Sequence, residues 1–329
     1  MKSGEKLRAW LADTPERTQS AAAVEAFGKA FRRRPAFLRL EAELEAADGK
    51  ARAALDAARR FLGEGEELEE AVSTMIANAR VDPFFRPALR APASPIHDGL
   101  ILFDHPSLTL MVAAMSAHAL AAKRRSSDLR SAITFSGQHA LYHFIRAGGA
   151  ELSFWETPPI GPGFVGDPRL RCRPTGRRRF RDGESILLDG RRESFVIEHA
   201  TSTLVYVQAL TRLEAGPIAA QYDSKSLTFA GASSTDDPGS RVTMMLSLLR
   251  VMDRTDAAPL IPGLLGTLGF HDRWRAMREF LALDAERALP HLEAMAASDP
   301  HLEVRTAAAA TLAAFFPEST QREDAECPA

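Results

Sequence analysis

Apolar side chains recur at helical spacing through residues 1–90 of the chain. The recurring positions include Leu38, Leu40, Leu44, Leu55 and Phe61. A period between three and four residues is typical of amphipathic helices, so this part is predicted to be helical, with a further helix over residues 66–79. The Pro-rich stretch 86–95 then indicates a linker.

The pattern changes to short apolar runs separated by turn signals, which is typical of an antiparallel sandwich or barrel. The run at 99–103 predicts a strand, and the longer run at 108–122 predicts a buried helix. Strands are then predicted over residues 132–135, 140–145, 151–155, 169–173, 185–188, 194–198, 204–209, 218–222 and 227–230. Asp189-Gly190 separates two of these runs and predicts a two-residue hairpin turn, because glycine tolerates positive φ.

Helical patterning returns near Asp237-Pro238, which predicts a helix start. A repeat follows, in which the segment from His271 aligns without gaps on the segment from His301 and pairs Trp274 with Val304. Such a period is typical of stacked helical hairpins. The segment DPHLEVR with the alanine-rich helix after it resembles the second helix of a HEAT repeat. That resemblance covers residues 255–316 and implies that Trp274 belongs to the core and that Arg275 and Arg305 brace the next helix.

These patterns together predict an α+β chain of four segments. Residues 1–95 are an N-terminal helical region and linker, and residues 96–235 are an antiparallel jelly-roll β domain. Residues 236–316 are HEAT-like helical hairpins, and residues 317–329 are a disordered acidic tail.

Composition narrows the class of protein. Lysine plus arginine number 41 against 43 aspartates plus glutamates, so no net field draws the whole chain to nucleic acid or a membrane surface. The two cysteines form no disulfide framework and no CxxC metal site. The longest apolar run is shorter than the ~20 residues of a membrane span, and the N-terminus has no signal-like apolar stretch. A cytoplasmic protein is therefore expected.

Histidines on the predicted strands are the candidate metal ligands. His139 and His143 are four residues apart, and His199 follows Glu198 on a later strand. Histidines plus a carboxylate are usual ligands of non-haem iron. In strand count and in its Asp189-Gly190 turn, the segment resembles a small jelly roll of the cupin superfamily. Metal-binding cupins have two histidines separated by one residue, and no His-x-His occurs here, so the alternative is that these histidines only pack or hydrogen-bond.

The densest basic cluster spans residues 169–192 and contains nine arginines. One interpretation is a patch for the acidic side chains of a peptide. The others are an edge strand kept unpaired by charge and a nucleic-acid contact, which the near-zero net charge argues against. Aromatic side chains on the predicted strands line a groove or form the core. The candidate ligand-binding residues are Arg171, Arg173, Arg178, Trp155 and Tyr206.

The sequence contains no nucleophile elbow, zincin motif or P-loop, so no catalytic residue is assigned. The expected function is non-catalytic binding of a peptide or protein segment, with no cofactor. The layout resembles peptide-binding accessory proteins of bacterial ribosomal-peptide biosynthesis of the crocagin type, which implies a precursor peptide as ligand. The resemblance to cupin-type jelly rolls implies a homodimer, because jelly rolls of this class commonly pair through sheet edges. The alternatives are a cupin-type iron(II) oxygenase and, third, a nucleic-acid-binding regulator.

Overall fold

The structure is a computed structural model that describes residues 3–125 and 132–316. It confirms the predicted α+β class, with helices at both ends and antiparallel sheets between them. The predicted tail at 317–329 lies outside the described residues. Within the described ranges, no helix is both long and apolar enough to cross a membrane.

Five helices form the N-terminal part: α1 Ser3–Ala12, α2 Thr14–Arg32, α3 Pro35–Glu45, α4 Ala51–Gly63 and α5 Glu66–Val81. Helix α2 begins where the side chain of Asp13 accepts a hydrogen bond from the N–H of Glu16, the usual N-cap contact. The predicted linker is hydrogen-bonded to the first strand of the β part. The amides of Gly99 and Ile101 donate to the carbonyls of Pro92 and Arg90 at 2.8 Å, which fixes this stretch along the first strand.

The β part has eleven strands within the described residues: β1 His97–His105, β2 Leu108–Met115, β3 Ala132–Phe135, β4 His139–Arg146, β5 Glu151–Glu156, β6 Arg173–Arg179, β7 Ser185–Asp189, β8 Glu193–His199, β9 Leu204–Thr211, β10 Ile218–Asp223 and β11 Phe229–Ser234. They form a five-stranded sheet in the order β1-β2-β9-β4-β7 and two three-stranded sheets, β6-β5-β8 and β11-β10-β3. Every pair is antiparallel.

The five-stranded sheet is covered on both faces. Alternate side chains of a strand point to opposite faces, and in β9 Val207 packs with the N-terminal helices whereas Tyr206 packs against the second sheet. In β4, Leu141 likewise packs with the N-terminal helices and Phe144 packs against the second sheet. The third sheet packs its apolar face on the C-terminal helices.

The predicted helix at 108–122 is wrong. Residues 108–115 form β2, which lies between β1 and β9, and only Ala117–Arg125 is helical, as α6. A central strand buried on both faces is as continuously apolar as a buried helix. The apolar run at 108–122 therefore could not distinguish a strand from a helix. The strand gives way to α6 at Ser116, whose Oγ accepts a hydrogen bond from the N–H of Ala119 at 3.2 Å.

The predicted hairpin at Asp189-Gly190 is also wrong. The turn joins β7 and β8, but these strands belong to different sheets, so the connection crosses between layers. Gly190 does not have the positive φ that the hairpin prediction assumed. A Cβ there would lie 2.3 Å from the carbonyl oxygen of Gln138, so close packing is what requires glycine.

Two other predicted strands are displaced along the chain. The strand expected at 169–173 lies at β6, and the one expected at 227–230 begins later, at Phe229. Leu227 has a φ of 60° and belongs to a turn held by Asp223, whose side chain accepts hydrogen bonds from the amides of Lys225 and Ser226. A turn with positive φ cannot be part of a strand.

The C-terminal part contains α7 Asp237–Val251, a 3-10 helix Thr255–Leu260, α8 Ile261–Leu265, α9 Phe270–Leu283, α10 Ala285–Ser298 and α11 Leu302–Phe315. Helix α7 is capped by Asp236, one residue earlier than predicted. Helices α9, α10 and α11 each have fourteen residues. Helix α10 precedes α11, but the segment that precedes α9 is only the 3-10 helix and the five-residue α8, so the two repeat units are not equal hairpins.

Asp299, in the turn between α10 and α11, connects the last three helices. Its carboxylate accepts two hydrogen bonds from Arg273 of α9, at 2.7 and 2.8 Å, and one from the N–H of His301. Its carbonyl accepts one from Arg305. Burial alone would raise the pKa of Asp299, but the Arg273 and His301 hydrogen bonds and the charge of Arg273 outweigh it and lower the pKa.

Replacing Asp299 is expected to destabilise the protein strongly. The side chains of Asp299 and Arg273 are 3% and 14% exposed, and removing one partner of a buried pair costs about 3 kcal/mol or more. Urea unfolding of Asp299→Ala measures this, with Asp256→Ala as the matched control. Asp256 pairs with Arg254 in solvent, where such pairs contribute less than about 1 kcal/mol.

The effect of Asp299→Ala should also depend on pH. A lowered folded-state pKa gives stability that is present above the ordinary carboxyl value, roughly 3.9, and is lost as the pH falls through the folded value. The difference between wild type and variant should therefore shrink in strong acid. Equal losses in the two variants at neutral pH would contradict the role of this ion pair.

Candidate functional site

The histidines predicted as metal ligands are not brought together. His139 and His143 lie on β4, four residues apart, which separates their Cα atoms by roughly 13 Å. His199 ends β8 in another sheet, opposite Glu151. Within residues 3–125 and 132–316, no three histidine, cysteine or acidic side chains are grouped to hold a metal ion.

The two β4 histidines have other contacts instead. His143 Nδ1 is 2.9 Å from Ser185 Oγ, and burial lowers the pKa of His143. His139 Nδ1 is 3.7 Å from Asp189 Oδ1. The set His139, His143, His199 and Glu198 therefore does not form the iron centre that the oxygenase alternative requires.

Metal content gives a direct check on this conclusion. After anaerobic incubation with iron and desalting, the protein is expected to retain only trace iron, because its histidines do not share a coordination point. His143→Ala should leave the value unchanged, as should the control His105→Ala. About one iron per chain that disappears in His143→Ala would contradict the geometry.

Tyr206 lies inside the β domain rather than at a groove. It packs with Tyr142, Phe144 and other aromatic rings, and Gln208 Nε2 donates to the Tyr142 hydroxyl at 2.9 Å. Burial raises the pKa values of both tyrosines. Trp155 is half-buried and packs on the side of the C-terminal helices, so these two predicted ligand-binding aromatics are not adjacent on one surface.

The predicted arginines do share one exposed region. Strand β6 is an edge strand, and all seven of its residues are exposed. Arg173 donates to Glu156 at 2.6 Å and Arg178 to Glu184 at 2.9 Å. Arg171 precedes the strand, where its backbone bridges to Thr228.

The first half of β6 is poorly suited to pairing with a further strand on its outer edge. Pro174 has no N–H to donate, and the register with β5 shifts between Phe154 and Trp155, leaving Thr175 as an extra residue. Such devices protect a sheet edge from unwanted strands. The second half, residues 177–179, pairs regularly with β5 and leaves its outer edge without a neighbouring strand in the described sheet.

A cavity that the sequence analysis did not anticipate lies between β11, α9 and α11. Its volume is about 330 Å³. One stripe of α9 lines it, consisting of Phe270, His271, Trp274, Arg275 and Arg278. Ala232 of β11 and the first turn of α11, Glu303 and Val304, complete the lining.

The electrostatics of this cavity are mixed. Burial lowers the pKa of His271, and Arg275 lowers it further, against the opposite effects of Asp272 and Glu303. The buried Nε2 of His271 has no hydrogen-bond partner within the described part of the chain. Glu303 is engaged, since its Oε2 accepts a hydrogen bond from the N–H of Gly166 at 3.1 Å.

The signal that would have pointed to this cavity is the difference between the two repeat units. Trp274 and Arg278 align on Val304 and Ala308, which are 1% and 0% exposed and belong to the core. The equivalent stripe on α9 instead faces a cavity. Arg275, predicted to brace the next helix, lies at this cavity, and Arg273 forms the ion pair to Asp299 instead.

No protein-family model matches the chain, and no curated protein matches it. Several solved structures are similar to part of it. Ectoine synthase from P. lautus is 11% identical, with a TM-score of 0.23, and the match covers 37% of this chain and 67% of that chain. An RmlC-like cupin from Shewanella frigidimarina is 6% identical, with a TM-score of 0.22, covering 38% and 84%. A cupin domain from Bordetella pertussis is 11% identical, with a TM-score of 0.21, covering 39% and 96%.

Proposed function

We propose that this protein is a non-catalytic binding protein for an extended acidic peptide, which lies along the β6 edge. The observation that carries the proposal is an edge strand whose seven residues are all exposed and four of which are arginines. The expected ligand is a precursor peptide of a ribosomal-peptide pathway, in line with the resemblance stated above. Peptides commonly bind by adding a strand to an exposed sheet edge.

The backbone supplies the first part of the interaction. In an antiparallel pair, alternate residues direct their N–H and C=O groups away from the partner strand. Residues 177–179 of β6 pair regularly on one side and form the sheet edge on the other. Pro174 and the bulge after it confine strand addition to this half, which gives the bound segment a defined register.

The arginine side chains supply the second part. Their present partners are acidic residues of the same chain, and the side chains of Arg173, Arg178 and Arg179 are 76%, 54% and 81% exposed. Exposed ion pairs of this kind contribute at most about 1 kcal/mol each. A ligand carboxylate can therefore replace Glu151, Glu156 or Glu184 at little cost.

Edge protection by charge explains part of the same arrangement, but it does not explain Arg171. This residue lies before the strand, and its guanidinium has neither an ion pair nor a hydrogen bond within the described ranges. Arg178 lies in the half of β6 that can accept a further strand, whereas Arg171 and Arg173 lie on the far side of Thr175 and next to Pro174. The row of arginines therefore continues beyond the part of the edge that pairing could use. A positive surface beyond the pairing edge is what an acidic peptide requires.

A fluorescein-labelled peptide of alternating glutamate and valine is the probe for this site. The triple variant Arg171→Ser, Arg173→Ser, Arg178→Ser is expected to bind it at least about tenfold more weakly, since each exposed pair contributes up to about 1 kcal/mol. Fluorescence anisotropy measures the affinity. The matched control replaces Arg39, Arg52 and Arg60, which form exposed pairs on the N-terminal helices.

Two further probes separate strand addition from simple charge attraction. A peptide N-methylated at alternate residues lacks the main-chain donors and is expected to bind more weakly, whereas a lysine–valine peptide should not bind. Equal weakening by both triple variants, or equal binding of the lysine peptide, would contradict the proposal. Tighter binding of single-stranded DNA with a steep salt dependence would favour the nucleic-acid alternative instead.

The homodimer expected from the sequence is part of this proposal, and we assign its contact to α7 rather than to a sheet edge. Large apolar side chains lie exposed along this helix and at its C-cap, namely Met244, Met245, Leu248, Val251 and, at the C-cap, Met252. The outer helix of a stacked array needs a polar face or a cover.

Sedimentation velocity tests the dimer. The wild-type protein should sediment at twice the chain mass of 35.9 kDa, and Leu248→Glu should sediment as a monomer because it buries a charge in the contact. The control is Leu38→Glu, at another exposed leucine, on α3. A wild-type monomer at all concentrations would refute the dimer without affecting the peptide site.

A further inference from the structure

We propose that the cavity between β11, α9 and α11 binds a carboxylate that is attached to an apolar or aromatic group. This site is separate from β6 and goes beyond the proposed peptide binding. The cavity contains two arginines without ion-pair partners among the described residues, several apolar side chains and one acidic residue.

Arg275 and Arg278 are the two cations of this cavity. Both are exposed and lie three residues apart on α9, so their side chains project from the same face of the helix. Neither guanidinium has a hydrogen bond or an ion pair with any residue of the ranges that the structure describes. The neighbouring Arg250, Arg254, Arg273 and Arg287 each have a carboxylate partner.

Beside the polar residues, the lining contains four apolar side chains that a hydrophobic group can contact, namely Ala232, Phe270, Trp274 and Val304. Phe270 and Val304 belong to the buried core, and the half-buried Trp274 presents a large aromatic surface. The ring of His301 stacks on the ring of Phe270, with 3.7 Å between the ring centroids. Small-molecule sites combine apolar side chains with a few oriented polar groups, and this cavity contains both.

Glu303 determines the charge that the ligand can carry. Its carboxylate accepts a hydrogen bond from the N–H of Gly166 at 3.1 Å, and its charge and that of Arg275 both act on His271. Arg278 lies seven residues after His271 on α9, a rise of roughly 10 Å along the helix axis. A ligand with a single carboxylate brings one negative charge to a cavity that contains two arginines and Glu303. A doubly charged phosphate would be repelled more strongly, and guanidinium groups match the planar geometry of a carboxylate.

The probe is 3-phenylpropionate, titrated by calorimetry and by the NMR signal of the Trp274 indole N–H. We expect saturable binding with a shift of that signal, and at least about tenfold weaker binding of the uncharged 3-phenylpropanamide. Arg275→Gln and Arg278→Gln should each weaken binding about tenfold, as expected for loss of a charge-assisted hydrogen bond. Arg254→Gln, at an exposed arginine paired with Asp256, should bind as the wild type does.

Acetyl-Ala-Phe with a free or an amidated terminus identifies the source of the carboxylate. Tighter binding of the free dipeptide than of 3-phenylpropionate assigns the cavity to a peptide C-terminus, and weaker binding assigns it to a small acid. Equal binding of acid and amide, or binding of 2-phenylethylamine in place of the acid, would overturn the proposal. So would the absence of any Trp274 shift at millimolar 3-phenylpropionate.

The two sites are distinguishable by their variants. The β6 triple variant should bind 3-phenylpropionate like the wild type, and the two α9 variants should bind the glutamate–valine peptide like the wild type. Because Arg275 and Arg278 are exposed, their glutamine variants are expected to remain folded. Trp274→Leu provides a second test, since it should weaken binding of the aromatic acid more than binding of an aliphatic acid such as butyrate.

Discussion

Burial of both faces of the five-stranded sheet is the constraint on which the rest of the structure depends. In β9, Val207 and Ala209 face the N-terminal helices, and Leu204 and Tyr206 face the second sheet. A strand that is apolar on both sides is stable only if both sides are removed from water. The helices of residues 3–81 and the sheet β6-β5-β8 are therefore required covers, and the segment between α5 and β1 is fixed along β1 as a consequence.

The same logic applies at the other end of the molecule, where the third sheet is covered by helices. There the ion pair between Arg273 and Asp299 sets the position of α9 relative to α11. Both residues of this ion pair are close in sequence to residues that line the cavity, since Trp274 follows Arg273 and Glu303 lies one turn beyond Asp299. The cavity therefore depends on the Arg273–Asp299 ion pair as well as on apolar packing, because this pair fixes the helices that line it.

The arginines of this protein fall into two physically different groups. Those on β6 are mostly balanced by Glu151, Glu156 and Glu184, so a ligand there must exchange one carboxylate for another. Arg275 and Arg278 have no such partner among the described residues. The first surface suits an extended ligand that makes many weak contacts, and the second suits a small ligand with one charged group.

The sequence by itself determined that helices lie at both ends of the chain and strands between them, because periods of 3.6 and 2 are local properties of the chain. It identified most strands and the exposed arginines of β6. The fate of residues 108–115 was decided only by tertiary structure, since a strand buried on both faces has no alternation to detect. Likewise, only the fold separates His139 from His199 and places Trp274, Arg278 and Glu303 around one cavity. Which side chains meet across sheets and helices depends on layer packing between segments far apart in the chain, and no local pattern encodes that.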